Sequence, residues 1–409
     1  MAEGRTRLLD GALMICLGIV AAQLIPLSLA ARQTLSPASI DVDRALRFTA
    51  ADGPLAQPLQ ALSLDADSTA WALALAAGCI GLFWCARHAF ARGGVRVVAR
   101  AVAWMGLALT TLVIVQRATE PTLLYWYWRP LTAGAAPYGP FVNRNSFATW
   151  LVMAIPLVVG YTIARSRSRS IVATSFAQRV STLDATDLWL AASACLMTGG
   201  LLGSLSRAGI VAGAAGLAAF VCLSSSRVSG RRRVAGFVFV LGLMVATATM
   251  FANLGALATR MNRALELGAA GRRAIWSDTW RMAGDFWLTG VGSGAYERGM
   301  LVYQQGSRQY FYNHAHNEYL QILAEGGALL AVPAAVALVA GVVLAARRLG
   351  ADRSPLFWLR AGAASGMLAV AVQSIWDTGL RIPANGALFA VMAAIATYEP
   401  DTGIERNAT

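Results

Sequence analysis

The chain contains no lysine: all 34 of its basic residues are arginine. Charge of either sign is scarce, at 13% of residues where a soluble domain carries roughly 25%. The hydrophobic share is 57%. That balance excludes an ordinary soluble protein and makes lipid the main solvent. The five cysteines (Cys16, Cys79, Cys85, Cys195 and Cys222) lie inside apolar runs, with neither metal-ligand spacing nor a loop partner. They read as small buried packing residues, not as a disulfide framework or a zinc site. No pair of Gly/Pro-broken halves repeats, which argues against an inverted-repeat transporter. No A-x-A-like cleavage site follows the opening run 11–31, so that run reads as a retained span. A formal charge of +13 would suggest nucleic acid in a soluble protein. In this composition it reads as orientation signal and contact with anionic headgroups, so the bilayer is the expected partner and nucleic acid is not.

Apolar runs of spanning length, about 20 residues each, recur throughout. They fall near 11–31, 70–90, 101–118, 147–164, 186–203, 208–225, 234–253, 319–346, 358–376 and 382–398. A lone spanning segment must satisfy its own backbone hydrogen bonds, so each is expected to be a helix. The predicted fold is all-α: a polytopic membrane bundle of about ten helices (range 10–12), with a large outer loop that contains helices. Arginine sets the orientation. Alternate connections hold Arg5 and Arg7; Arg87, Arg92, Arg96 and Arg100; Arg165, Arg167, Arg169 and Arg179; Arg227, Arg231, Arg232 and Arg233; Arg347, Arg348, Arg353 and Arg360; and Arg406. The short loops between them carry only Arg207 and Arg381. By the positive-inside rule the first set is cytoplasmic, as are both termini. Segments 32–69, 119–146 and 254–318 then lie outside. The last holds an amphipathic stretch, Thr259 to Trp287, with Arg260, Arg263, Arg272, Arg273, Arg281, Trp276 and Trp280.

The arginines that orientation does not explain carry the functional reading. Arg144, Arg207, Arg272, Arg273, His314, His316, Glu318, Glu325, Asp377 and Arg381 all fall at one predicted face. Arg207 sits between two apolar runs with almost no loop, a costly place unless it snorkels or meets a polar ligand. Arg144 lies between Asn143 and Asn145 at the start of a span that Ser146 could cap, which reads as a plain cap and anchor or as a donor cluster. His314 and His316 are spaced to point apart, which disfavours a shared metal; a general base or hydrogen-bonding role fits better. His316, Tyr319 or Gln321, and Glu325 would form a polar stripe entering the membrane. Guanidinium forks match phosphate oxygens. Tyr125, Trp126, Tyr127, Trp128, Trp276 and Trp280 suit interfacial anchoring or stacking on sugars. A polyprenyl diphosphate-linked glycan presents a matching lipid, diphosphate and sugar.

These stretches resemble the O-antigen ligase/polymerase superfamily of bacterial membrane glycosyltransferases. The resemblance rests on Gly-Pro-Phe-Val-Asn-Arg-Asn (139–145), Ser-Arg-Ala-Gly (206–209), and Gly-Arg-Arg-Ala-Ile-Trp (271–276) with Leu-Thr-Gly-Val-Gly-Ser-Gly (288–294). His-Asn-Glu-Tyr-Leu-Gln with Glu-Gly-Gly (316–327) and the tail Trp-Asp-Thr-Gly-Leu-Arg-Ile-Pro-Ala-Asn (376–385) complete it. It implies N-terminal helices with a periplasmic segment over 1–136, and a catalytic membrane core over 137–398 whose periplasmic loop is 254–318. The implied site is in the inner membrane's periplasmic face, with both termini cytoplasmic. Arg207 and Arg272 would contact the diphosphate of an undecaprenyl-diphosphate-linked glycan, with His316 as base. Arg144, Asn143, Asn145, Arg273, His314, Asn317, Trp276, Glu325, Asp377 and Arg381 would line the substrate. No metal or cofactor is expected. The acceptor is a glycan or a lipid, and polysaccharide-assembly proteins are further expected partners. Two other classes stay open: a lipid-linked oligosaccharide flippase, which should carry mid-bilayer charge and related halves, and a non-catalytic export subunit, whose motif residues should tolerate alanine.

Overall fold

The computed structural model describes residues 2–46, 59–130, 137–169, 184–228, 230, 271–306 and 311–400. Helix α1 (Ala2–Ala22) leads into strand β1 (Pro26–Ser28), α2 (Leu29–Leu35), α3 (Pro37–Ala45) and strand β2 (Leu59–Ala61), which pairs antiparallel with β1. Then come α4 (Ala66–Arg92), α5 (Val95–Thr119), α6 (Arg144–Arg169), α7 (Ala185–Gly203) and α8 (Arg207–Leu223). Residues 271–285 form α9, followed by α10 (Tyr296–Tyr303), α11 (Glu318–Ala351), α12 (Phe357–Gln373) and α13 (Pro383–Thr397). Five of these, α4, α5, α6, α7 and α11, are long and apolar enough to cross a membrane; α8 and α13 are shorter apolar helices. The chain is an all-α polytopic membrane protein. The expected span 234–253 lies outside the described residues, as do Arg179, Arg231, Arg232, Arg233, Arg260, Arg263 and Arg406.

Two local expectations change. The first apolar run does not continue to residue 31: α1 stops at Ala22, Gln23 turns its side chain to other work, and Pro26, which has no N–H, opens a strand. Cys85, Cys195 and Cys222 are exposed on helix surfaces, not buried, and Cys16 and Cys79 are half-buried. In a lipid-facing helix a small apolar side chain needs no packing partner.

The described chain divides into two compact units. Unit 1 joins Met1–Gly81 to Asn253–Leu344 and Ser374–Thr378. Its core gathers Met282 and Phe286, one turn apart on the α9 side, with Tyr296 and Met300 of α10, Val42 of α3, Leu64 and Ala324. Burying a Met or Phe side chain is worth about 2–3 kcal/mol, so the N-terminal segment and the large loop hold each other.

Unit 2 comprises Leu82–Ala252, Ala345–Gln373 and Gly379–Thr409. Its centre is α6, whose Phe147, Leu151, Val152, Met153 and Leu157 are fully enclosed. Helix α12 crosses α6 backbone to backbone. A Cβ on Gly160 would collide with the carbonyl of Trp358, and one on Gly362 with the carbonyl of Pro156. Small residues are what let membrane helices approach this closely. One end of the unit is tied by arginine. Arg165 binds Asp184 at 2.7 Å and Asp187 at 3.0 Å. Arg227 donates to the Asp352 carbonyl at 2.7 Å, while Arg360 binds the Asp352 carboxylate at 2.8 Å and stacks on Tyr398. These residues sit at the C-terminal ends of α6 and α8 and the N-terminal ends of α7 and α12. The opposite end gathers the starts of α6, α8 and α13 and the end of α12.

Candidate functional site

At that opposite end of unit 2, three of the sequence motifs meet. Asn143 caps α6, accepting from the Asn145 amide at 2.8 Å; the cap is Asn143 rather than the expected Ser146, whose carbonyl instead accepts from Asn385 at 3.0 Å. The Ser206 hydroxyl caps α8 by accepting from Gly209 N and donates to Asn145 Oδ1 at 2.8 Å, joining the 139–145 and 206–209 motifs. From α12, Gln373 donates to Thr149 at 2.8 Å and to the Asn145 carbonyl. Asn385 also grips the Gly379 carbonyl at 2.8 Å, bringing in the tail that carries Arg381. Arg144 and Arg207 are the first residues of α6 and α8, and both are exposed. Among the described residues neither makes an ion pair, unlike Arg165 and Arg360 at the far end. A cation at a helix N-terminus opposes the macrodipole, so helix stability does not account for either. Amide-rich helix starts carrying guanidinium groups are suited to an anion.

In unit 1 the other motifs interlock through a broken helix. At Gly327 (φ 57°, ψ −163°) α11 leaves helical geometry. The loop 287–292 fills the breach. Val291 N donates to Ala324 O and Gly292 N to Glu325 O, each at 3.0 Å. Ala328 N donates to Trp287 O at 2.7 Å and Leu329 N to Leu288 O at 3.1 Å. Four backbone groups that a continuous helix would pair internally are thus paired by the loop. Gly290, also at positive φ, touches the backbone of Glu325 and Gly326, where a Cβ would collide. Gln23 locks this junction. Its Nε2 donates to the carbonyls of Thr289 and Glu325, and its Oε1 accepts from Ser293 N, all at 2.9 Å.

His316 is presented by the same framework. The amide of Ala315 donates to Gln321 Oε1 at 2.6 Å and its carbonyl accepts from Trp276 Nε1 at 2.9 Å. Asn317 caps α11 by accepting from Leu320 N at 3.0 Å. Between these two pinned neighbours His316 adopts φ 51°, a left-handed conformation that a side-chain-bearing residue keeps only when its surroundings impose it. Burial first, then the nearby Arg272 cation, hold its imidazole below the ordinary histidine range, so it is neutral at neutral pH. The expected polar stripe exists with a different member. Gln321 bonds Glu325 at 2.9 Å, and the ring facing Gln321 is His314, at 3.4 Å, while His316 lies just outside the helix.

Unit 1 therefore brings together Arg272, Trp276, His314, His316, Asn317 and Glu325. Ser374, whose carbonyl accepts from Glu318 N at 2.9 Å, brings the buried Asp377 segment to the start of α11. Arg273 is exposed on α9. Unit 2 brings together Asn143, Arg144, Asn145, Arg207 and Arg381. Among the described residues no group of three or more His, Cys, Asp or Glu side chains gathers to hold a metal. Sequence reasoning passed over Gln23 and Gln373; the only signal was an uncharged amide within or beside an apolar run. Residues 192–335 match the family model described as O-antigen ligase. That range includes Arg207, Arg272, Trp276, the glycine-rich loop and His316. No curated protein matches the chain. Over residues 192–335 this chain is thus similar to the O-antigen ligase family, which supports the resemblance to the O-antigen ligase/polymerase superfamily.

Proposed function

We propose that this protein transfers or polymerises a glycan from an undecaprenyl-diphosphate carrier at the periplasmic face of the bacterial inner membrane, with both termini cytoplasmic. The match to the O-antigen ligase model supports a role in surface-polysaccharide synthesis; donor, face and residue roles are the proposal. The observation that carries it is His316, fixed in a left-handed backbone conformation between two pinned neighbours, its imidazole held low by burial and by the Arg272 cation. In the proposed step His316 takes the acceptor hydroxyl proton as that oxygen attacks the sugar C1. The C1–O bond to the diphosphate breaks from the opposite side. Charge develops on the departing diphosphate, which Arg207 and Arg272 stabilise as fixed cations, Arg144 and Arg381 adding positive potential. Asn143 and Asn145 supply polar contacts, and Asn317 and Glu325 hold the His316 segment. This chemistry assigns charge stabilisation to guanidinium groups rather than to a divalent ion.

The experiment measures donor binding and transfer on the same purified variants. His316→Ala should still bind the lipid-linked donor while losing about 10² to 10⁴ in rate. Arg207→Lys and Arg272→Lys should lose both binding and transfer. A silent His316→Ala variant would overturn the assignment and favour a non-catalytic subunit.

A further inference from the structure

In unit 1 two histidines flank Ala315, which is fully buried and clamped at both ends of its backbone. Its amide donates to Gln321 Oε1 at 2.6 Å and its carbonyl accepts from Trp276 Nε1 at 2.9 Å. Gln321 lies in the first turn of α11 and has no exposed surface. A backbone N–H only donates, so the atom of Gln321 that faces it must be the amide oxygen, and this settles which end of the amide is which. The nitrogen end then carries two hydrogens, and two partners meet it: Glu325 Oε1 at 2.9 Å and His314 Nδ1 at 3.4 Å. An amide nitrogen accepts nothing. His314 Nδ1 must therefore offer its lone pair there, and the proton of that ring sits on Nε2. Both polar atoms of a fully buried amide are thereby paired.

We infer that Gln321 is a positioning residue that gives the two histidines opposite roles. It occupies the basic nitrogen of His314, which cannot take a proton there without breaking its bond to Gln321. That ring is left as a hydrogen-bond donor through Nε2–H, and it suits a hydroxyl oxygen of the glycan, while the diphosphate falls to the guanidinium groups. Through the Ala315 amide the same side chain holds the backbone from which His316 projects. The inference rests on the proposed role of His316 as base, and it adds why one of two neighbouring histidines does that work and the other does not.

The chain has 3 histidines, so nitrogen NMR of the full-length, histidine-labelled protein in lipid can observe each ring, with His314→Gln identifying the signals of His314. The unaltered protein should show His314 protonated at Nε2 and bare at Nδ1. A proton on Nδ1 overturns the inference with no activity measured. Gln321→Glu keeps one oxygen for the Ala315 amide and turns the other toward His314 Nδ1. The His314 proton should then move to Nδ1, and kcat/KM for transfer should fall about three- to tenfold, what a neutral hydrogen bond is worth. In the His314→Gln background, itself impaired, the same change should cost nothing further. An equal loss in both backgrounds means that Gln321 does not act through His314, and overturns the inference. Gln321→Met also drops the Ala315 amide and should fall further, toward the His316→Ala variant; a loss no larger than that of Gln321→Glu overturns the hold on His316. A silent His316→Ala variant overturns the base assignment instead and leaves the NMR result standing, so the two failures are distinguishable.

Discussion

In the proposed reaction His316 is a base whose strength depends on its surroundings. Burial first, and then the Arg272 cation, hold the imidazole low, so the neutral form should persist below the usual histidine range and activity should fall as pH drops through that lowered value. In the proposed complex an anionic diphosphate at Arg272 would offset that cation and raise the imidazole's affinity for a proton. The acid limb of kcat, which reports the complex, should therefore lie at higher pH than the acid limb of kcat/KM, which reports the free enzyme. Arg272→Gln should shift the kcat/KM limb upward; an unmoved limb would detach Arg272 from His316. At Arg207 the expected signature is insensitivity to charge conservation, because lysine keeps the cation and loses the fork. Transfer by Arg207→Lys should be nearly as impaired as by Arg207→Ala. These residues were legible because a charge beside an apolar run is conspicuous. Gln23 and Gln373 were not, since an uncharged amide carries no periodic signal and their partners are backbone or hydroxyl groups more than 200 residues away.

Hydropathy reads α11 as one continuous span: an 18-residue window within it reaches a mean hydropathy of 2.6, a measure blind to backbone geometry. The break is backbone geometry, legible only as Glu-Gly-Gly and as the glycines of 288–294, whose positive φ values a hydrophobicity window does not register. Gly290→Ala and Gly327→Ala each place a Cβ against another backbone at positive φ. Both should reduce the yield of folded protein, read by thermal unfolding in detergent. Gln23→Leu is milder and more informative. It leaves the Ser293 amide and the Thr289 carbonyl without their side-chain partner, at about 1–3 kcal/mol per buried group. Tm should fall by several degrees while the expressed protein remains folded. An unchanged Tm would remove Gln23 from the junction.

Over the whole chain, arginine alternation anticipated the segregation seen in unit 2, where Arg165, Arg227 and Arg360 are tied at one end and Arg144 and Arg207 are exposed at the other. Helix lengths were harder to anticipate, because α8 and α13 are short apolar helices and α1 ends at Ala22, where the chain turns into β1. Alkaline phosphatase fused after Gly306 should be active and after Arg227 inactive; the reverse would invert the proposed orientation. Reconstituted transfer should also survive EDTA, and loss restored by magnesium or manganese would remove the arginine account of charge stabilisation.

The junction at Gly327 also constrains how the protein is made. The broken form needs residues 287–292 in place: they supply the partners of the Ala324 and Glu325 carbonyls and of the Ala328 and Leu329 amides, which an unbroken helix would pair internally. Left unpaired in hydrocarbon, each such group would cost several kcal/mol. The first turns of α11 therefore enter the membrane either as an unbroken helix or already joined to the loop. The break itself should form only as the loop folds against it.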